Sequence, residues 1–174
     1  MLATSLKCYA QTQDYLMKRL RNESPDLDAV DLRILRILAE DARTRVAEIA
    51  RSVGMSAPSV SERIRRLQDS GTIQAYTIRI DPAALGLPLS AWLRIRPVPG
   101  QLAKVAEILQ EIGEIVSCDR VTGEDCFIAR AHVRSVTDLQ EVIDRIIPYA
   151  MTNTAIIQSS PVAPRLPVAA ATGE

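Results

Sequence analysis

Two periodicities divide the chain. From Leu27 to Leu67, apolar residues recur at steps of three and four, the spacing of one face of a helix. From Leu89 to Gln158, stretches that alternate every second residue interleave with helical stripes. The first region predicts three helices. Leu27–Glu40 has Asp28 as N-cap and Asp31 three residues later, which adds negative charge to the first turn. Leu27 and Leu32 fit a hydrophobic staple, and Ile34, Leu35, Ile37 and Leu38 make a broad apolar face. Thr44 is expected to cap a second helix carrying Val46, Ile49, Ala50 and Val53 on one face, ended by Gly54. Ser56 caps a third, with Pro58 in its first turn, where a missing N–H does no harm. Val60, Ile64 and Leu67 form its buried face, and Ala57, Ser59, Ser61, Glu62, Arg65 and Arg66 its outer one.

Ile73–Ile80 alternates and is rich in β-formers, predicting a strand that leaves the helical unit. Asp81-Pro82 and Leu85-Gly86-Leu87-Pro88 then break the pattern, so 73–88 reads as a linker. Beyond it come a strand (Leu89–Val98), a helix (Gln101–Ile112) and a strand (Ile115–Val121). The tight loop Thr122-Gly123-Glu124-Asp125 follows, then a strand (Cys126–Val133). A helix capped by Ser135 or Thr137 ends at Pro148, and a last strand covers Thr152–Gln158. That order is the ferredoxin-like split βαβ. The fold class is therefore α+β: an N-terminal three-helix domain over 27–72, and a ferredoxin-like βαββαβ domain over 89–159. The segment 1–26 reads as a flexible tail in which Tyr9–Leu20 could form a helix. The segment 160–174, rich in proline and small residues, reads as disordered.

With two helices on one side of the sheet, its other face is expected to carry Trp92, Cys118, Ile128 and Ile156 among Arg94, Arg120, Arg130, His132, Thr154 and Gln158. That face is too apolar to leave wet, and no element remains to cover it. A second copy of the chain is the expected cover, giving a homodimer; a half-solvated antiparallel sheet is the alternative.

Composition narrows the chemistry. The 174 residues are 47% hydrophobic, with 21 basic and 21 acidic side chains, so any nucleic-acid surface must be local. The cations are nearly all arginine, which grips phosphate or guanine with two prongs, although codon bias alone produces the same skew. One histidine and three cysteines without metal-ligand spacing give no metal site, no catalytic set and no cofactor. The chain is not expected to be an enzyme. No apolar run is long enough to span a membrane and the N-terminal stretch does not read as a secretory leader, so a cytoplasmic protein with no membrane partner is expected.

The stretch Thr44–Leu67 has the logic of a helix-turn-helix. Ala50 lets two helices approach, Gly54 makes the turn, and Val60 plugs the second helix onto the core. Small residues at the start of that helix let its backbone near the major groove of double-stranded DNA, where hydroxyls and arginines reach phosphates and base edges. An ordinary three-helix bundle with a solvated charged face is the competing reading. In the loop Gly123-Glu124-Asp125, glycine exposes backbone N–H groups to a carboxylate and an acid can meet an ammonium, the two charged ends of an amino acid. A plain hairpin turn explains the same residues.

Taken together, LDAVDLRILRILAEDAR, EIARSVGMSAPSVSERIRRLQDSGTIQAY, the Asp81-Pro82 and Leu85-Gly86 linker and VTGEDCFI resemble the Lrp/AsnC, or feast/famine, family of prokaryotic transcription regulators over Leu27 to about Ser159. The resemblance implies a winged-helix-like helix-turn-helix domain and a ferredoxin-like effector domain that dimerises and often assembles into octamers or other multiples of dimers. It implies a small effector, often an amino acid, and a cytoplasmic, nucleoid-associated location. It places Ser56, Ser59, Ser61, Arg63, Arg65 and Arg66 at the DNA, with Ala57 and Glu62 on the same face. Arg63, beside Ile64, has the alternative of bridging on the inner side. Gly123 and Asp125 match the glycine and aspartate of the effector-domain loop, with Glu124 between them. Cys126-Phe127 and the two long tails depart from the family pattern. The function expected is a sequence-specific DNA-binding transcription regulator modulated by a small effector. The alternative is an architectural protein that wraps DNA with little sequence preference.

Overall fold

The computed structural model describes residues 26–164 and 166–168. The helix expected within Tyr9–Leu20 lies outside them, as do most of the N-terminal tail and the end of the C-terminal one. The described residues divide into two compact units, with boundaries between Thr77 and Ile78, inside the segment read as a linker, and between Ala163 and Pro164.

The first unit contains α1 (Ala29–Glu40), α2 (Val46–Val53) and α3 (Ala57–Asp69). Asp28 caps α1 in a capping box: its carboxylate accepts the Asp31 N–H at 2.8 Å, and the Asp31 carboxylate accepts the Asp28 N–H at 3.3 Å. The core is Ile34, Ile49, Ala50, Val53, Val60 and Leu67. Ile34, Ile49 and Val60 are fully enclosed, and each contributes on the order of 1.5–3 kcal/mol by leaving water. Gly54 turns the chain between α2 and α3 at φ 72°, a left-handed conformation that a side chain disfavours. One cap differs from expectation. The N-cap of α2 is Arg45, which makes no side-chain cap, because the Thr44 hydroxyl instead donates to the Asp41 carbonyl at 2.8 Å and closes the preceding turn.

Residues 74–80 do not form the expected strand. They join none of the sheet described here, and Tyr76, Ile78 and Ile80 are exposed. Alternating β-branched residues suit a pleated surface, but propensity alone does not give a segment a place in a sheet. A short 3₁₀ turn over Pro82–Leu85, capped by Asp81, follows.

The second unit has β1 (Leu89–Pro97), α4 (Leu102–Glu111), β2 (Ile115–Arg120), β3 (Phe127–Val133), α5 (Val136–Ile146) and β4 (Ala150–Ile156). The sheet order is β2-β3-β1-β4, all antiparallel, as the split βαβ requires. Ser135, rather than Thr137, caps α5. Ala91, Leu93 and Ile95 pack with Ala129, Ala131, Val133 and the stripes of both helices, among them Val105, Leu109, Leu139 and Ile146, into one core.

Register corrects the reading of the open face. Trp92 stands opposite Arg130 and Ala155, and Arg94 opposite Ile128 and Asn153, so the open face holds these six with His132 and Met151. Thr154 and Ile156 pair with Leu93 and Ala91 and belong to the helix side instead, while Gln158 lies past the end of β4. In the run Thr152-Asn153-Thr154-Ala155, small and polar residues alternate on neither face, so the phase is set by buried Ala150. Cys118 and Arg120 are likewise on the helix side, opposite Ala129 and Phe127. A bulge between Ile115 and Ser117 inserts one residue and reverses the parity of the rest of β2.

Candidate nucleic-acid interface and effector loop

The outer face of α3 starts from its cap. The Ser56 hydroxyl accepts the Ser59 N–H at 3.3 Å and lies 2.8 Å from the Ser59 hydroxyl, which fixes the first turn with short polar side chains. Ser56, Ser61, Glu62, Arg65 and Arg66 are exposed; Ala57, Ser59 and Arg63 are half-buried. Ser56, Ser59, Ser61, Glu62 and Arg65 thus share an open helix surface, while Ala57 packs partly against the core and Arg63 and Arg66 turn toward Asp31.

Its arginines are already engaged. Arg65 lies on its own helix surface, with Nε 3.0 Å from Glu62 Oε2 and Nη1 2.6 Å from Asp69 Oδ2. Its hydrogen bonds to Glu62 hold that carboxyl below its ordinary range and raise the Arg65 guanidinium in turn. Arg63 takes the inner alternative: Nη1 donates to Asp28 Oδ2 at 2.6 Å and to Asp31 Oδ1 at 2.8 Å. Arg66 Nη2 donates to the other Asp31 oxygen at 2.7 Å. Asp31 is fully buried, so two guanidinium groups from α3 close over one carboxylate of α1. The Asp31 N–H and then Arg63 lower the Asp28 carboxyl, while Asp28 and Asp31 raise Arg63. Sequence reading placed Asp31 only as a negative charge in the first turn of a helix. The signal that could have found this clamp is the match of two acids three residues apart with two arginines three residues apart, each pair on one helix face.

The loop 122–125 sits between β2 and β3, closed at its ends by the Val121 N–H to the Cys126 carbonyl and the Cys126 N–H to the Ile95 carbonyl, both 3.0 Å. Gly123 has φ 114°, which a side chain rarely adopts. Both acids of the loop are latched from β1. Arg94 Nε and Nη2 reach Asp125 Oδ2 at 2.7 and 2.6 Å. Arg96 donates Nε to the Glu124 carbonyl at 3.0 Å and pairs with its carboxylate. Beside them is an open cleft of about 300 Å³ lined by Arg94, Arg96, Asp125, Met151, Thr152 and Asn153. Arg94 and Arg96 were missed in the sequence because a strand arginine on an open face looks like a solvated charge.

Other reactive groups are quiet. Although Cys118 is exposed, partial desolvation by its neighbours, then Asp119, pushes its thiol up to about 11, so it stays protonated near neutrality. His132 is nearly buried with Nδ1 2.7 Å from the Ser90 hydroxyl; burial, then the neighbouring Arg130, lowers its pKa. Among the described residues no group of His, Cys, Asp or Glu could hold a metal ion, and no helix is long and apolar enough to cross a membrane.

Comparison with known proteins agrees with both halves of this architecture. Residues 27–68 match the AsnC-type helix-turn-helix domain, and residues 90–167 match the Lrp/AsnC ligand binding domain. The chain is 32% identical to the HTH-type transcriptional regulator LrpC of Bacillus subtilis over 133 residues, which are 76% of this chain and 92% of that protein. It is 36% identical to the HTH-type transcriptional regulator LrpA of Mycobacterium tuberculosis over 129 residues, 74% of this chain and 86% of that one. The solved structure of B. subtilis LrpC superposes with a TM-score of 0.76 at 31% identity, covering 80% of this chain and all of the other. The feast or famine regulatory protein from M. tuberculosis complexed with L-methionine superposes with a TM-score of 0.75 at 34% identity, covering 80% and 97%. A surface helix of small hydroxyl residues, carried on three helices and followed by a ferredoxin-like domain, thus has its counterparts in regulators: the chain belongs to the Lrp/AsnC family of DNA-binding transcriptional regulators.

Proposed function

We propose that this protein reads specific duplex DNA sequences through α3 and regulates transcription as a dimer or higher oligomer in response to an amino-acid effector, acting in the cytoplasm at the nucleoid. The observation that carries the DNA reading is the first turn of α3, where Ser56, Ala57, Ser59 and Ser61 leave the backbone close to the surface. Glu62 and Arg65 flank them, Arg66 reaches the same face, and Arg63 supports it from beneath. Paired α3 helices then read successive major grooves of a pseudo-palindromic site. In this reading 27–72 is the DNA unit, 73–88 the hinge and 89–159 the effector and dimerisation unit.

Trp92, Ile128 and Met151 on the open sheet face support dimerisation by packing against a second copy; Trp92 is 40% and Met151 66% exposed. For the effector, Gly123, Glu124 and Asp125 remain the candidate residues, and the methionine bound in the mycobacterial relative supports the class. Asp125 already holds a cation, Arg94. An amino acid would enter by exchange, its ammonium taking Asp125 and its carboxylate taking the released guanidinium.

Selection of duplexes from a randomised pool tests the DNA reading. Enrichment of a pseudo-palindrome is expected; a bound pool that stays random favours DNA wrapping without sequence preference. A thermal-shift screen of amino acids tests the effector, since a ligand that prefers the folded state raises the melting temperature.

A further inference from the structure

The geometry points to Arg43 and Arg45, ahead of α2, as the phosphate anchors of the DNA-binding unit, in place of the arginines of α3. The inference rests on the DNA-binding assignment and concerns which cations are available to a polyanion. Residues 26–77 contain eight arginines and eight acids, so the unit has no net charge with which to attract DNA. Where cations lack a local counterion therefore decides where phosphates dock. On α3 they do not lack one: Arg63 and Arg66 close on Asp31, and Arg65 is held between Glu62 and Asp69. A phosphate contacting any of these arginines must compete with a carboxylate already in place, and little counterion is released.

Arg43 and Arg45 differ. Both are exposed, and among the described residues neither guanidinium has a carboxylate or any other partner. Their main chain, by contrast, is held. The Asp41 carboxylate is turned to the Arg43 N–H at 2.8 Å rather than to its side chain. The Asp41 carbonyl accepts the Thr44 N–H at 3.1 Å and hydroxyl at 2.8 Å, and the Arg45 carbonyl accepts from Glu48 and Ile49. Two free cations thus project from a fixed turn, which reduces the entropy lost when they dock. Their place also fits. The eight residues of α2 span about 12 Å at 1.5 Å per residue. That length carries the chain from the turn at Gly54, beside the groove-reading end of α3, to a point about one major-groove width away, where the flanking phosphates run.

The test is the salt dependence of binding to a mixed-sequence duplex several helical turns long, followed by fluorescence anisotropy with full-length protein. Each phosphate contact contributes a slope of about 0.9 in log affinity against log salt. R43A/R45A is expected to lower the slope by about 1.8 per chain engaged, and the affinity about tenfold per arginine at roughly 0.1 M salt. R43K/R45K is expected to keep the slope, and R65A to lower it by less than the double variant does, because a phosphate at Arg65 must compete with Glu62 and Asp69. Among the described residues neither arginine side chain makes a hydrogen bond or ion pair, and an unaltered melting curve confirms that the variants fold. An unchanged slope in R43A/R45A, or a loss in R65A equal to the double variant's, overturns the assignment. Wild-type protein that binds no duplex at any salt instead overturns the DNA reading on which it stands.

Discussion

Replacing Asp31 by alanine is the sharpest probe of how the reader is held together. The substitution removes a fully buried carboxylate and leaves Arg63 and Arg66 facing each other across the gap. Breaking one side of a buried ion pair costs about 3–5 kcal/mol. Here the arginine side chains are 23% and 57% exposed and can turn partly to water, which brings the expected loss to about 3 kcal/mol, the lower end of that range. Loss of the reciprocal half of the capping box adds to it. At about 4 °C or more per kcal/mol in a domain of this size, the melting temperature of the helical unit should fall by more than about 12 °C. Far-UV circular dichroism of the full chain follows the helices. Trp92, the single tryptophan, reports on the sheet domain by fluorescence, so the two units can be told apart. D31N, which keeps the shape but only one of the two acceptor oxygens, should lie between. The comparison is E62A, which removes an exposed partner of Arg65 and should move the transition little. A D31A transition no lower than that of E62A would refute the clamp.

Three further outcomes follow from the sheet domain. W92E should abolish the proposed dimer, read by sedimentation velocity against the wild type, while leaving the circular dichroism spectrum intact; an unchanged sedimentation coefficient would place the interface elsewhere. His132 has a folded pKa below its ordinary 6.5, so the unfolded chain binds its proton first. The stability of the sheet domain should therefore be fully present above about pH 6.5 and fall as the pH drops below it, and H132Q should flatten that fall in urea titrations. R94Q removes the partner of Asp125 and the candidate carboxylate acceptor. Any amino acid that stabilises the wild type should lose most of its thermal shift in this variant, whereas an undiminished shift would exclude the exchange at Asp125.

What could be read from the residues was whatever local periodicity and capping encode. Asp28, Ser56, Gly54 and the stripe of Val60, Ile64 and Leu67 state the three helices, and the alternation of Ala91, Leu93 and Ile95 states the central strand. What could not be read depends on partners distant in sequence. Arg63 and Arg66 differ from solvated helix arginines only because Asp31, more than 30 residues earlier, is folded beneath them. Asp125 reads as a free acid until Arg94 is brought across the sheet. The faces of β2 and β4 went wrong for a related reason. Parity fixes a face only while the ladder runs without a bulge and large apolar residues mark one side; the first condition fails for Ser117–Arg120 and the second for Thr152–Ala155. The strand expected over 73–80 has the right residues and no place in the sheet.

The bulge in β2 has a consequence for how copies of this domain can join. Of the two outer strands, β2 and β4, the first is bent and over-twisted where Ile115 gives way to Ser117. Open-ended growth of a fibre by strand addition needs two usable edges on every molecule, one to receive and one to offer. With its register broken, β2 is the poorer template of the two borders, and β4 alone offers a regular edge. A single inserted residue thus removes one of the two edges that open-ended strand addition would need.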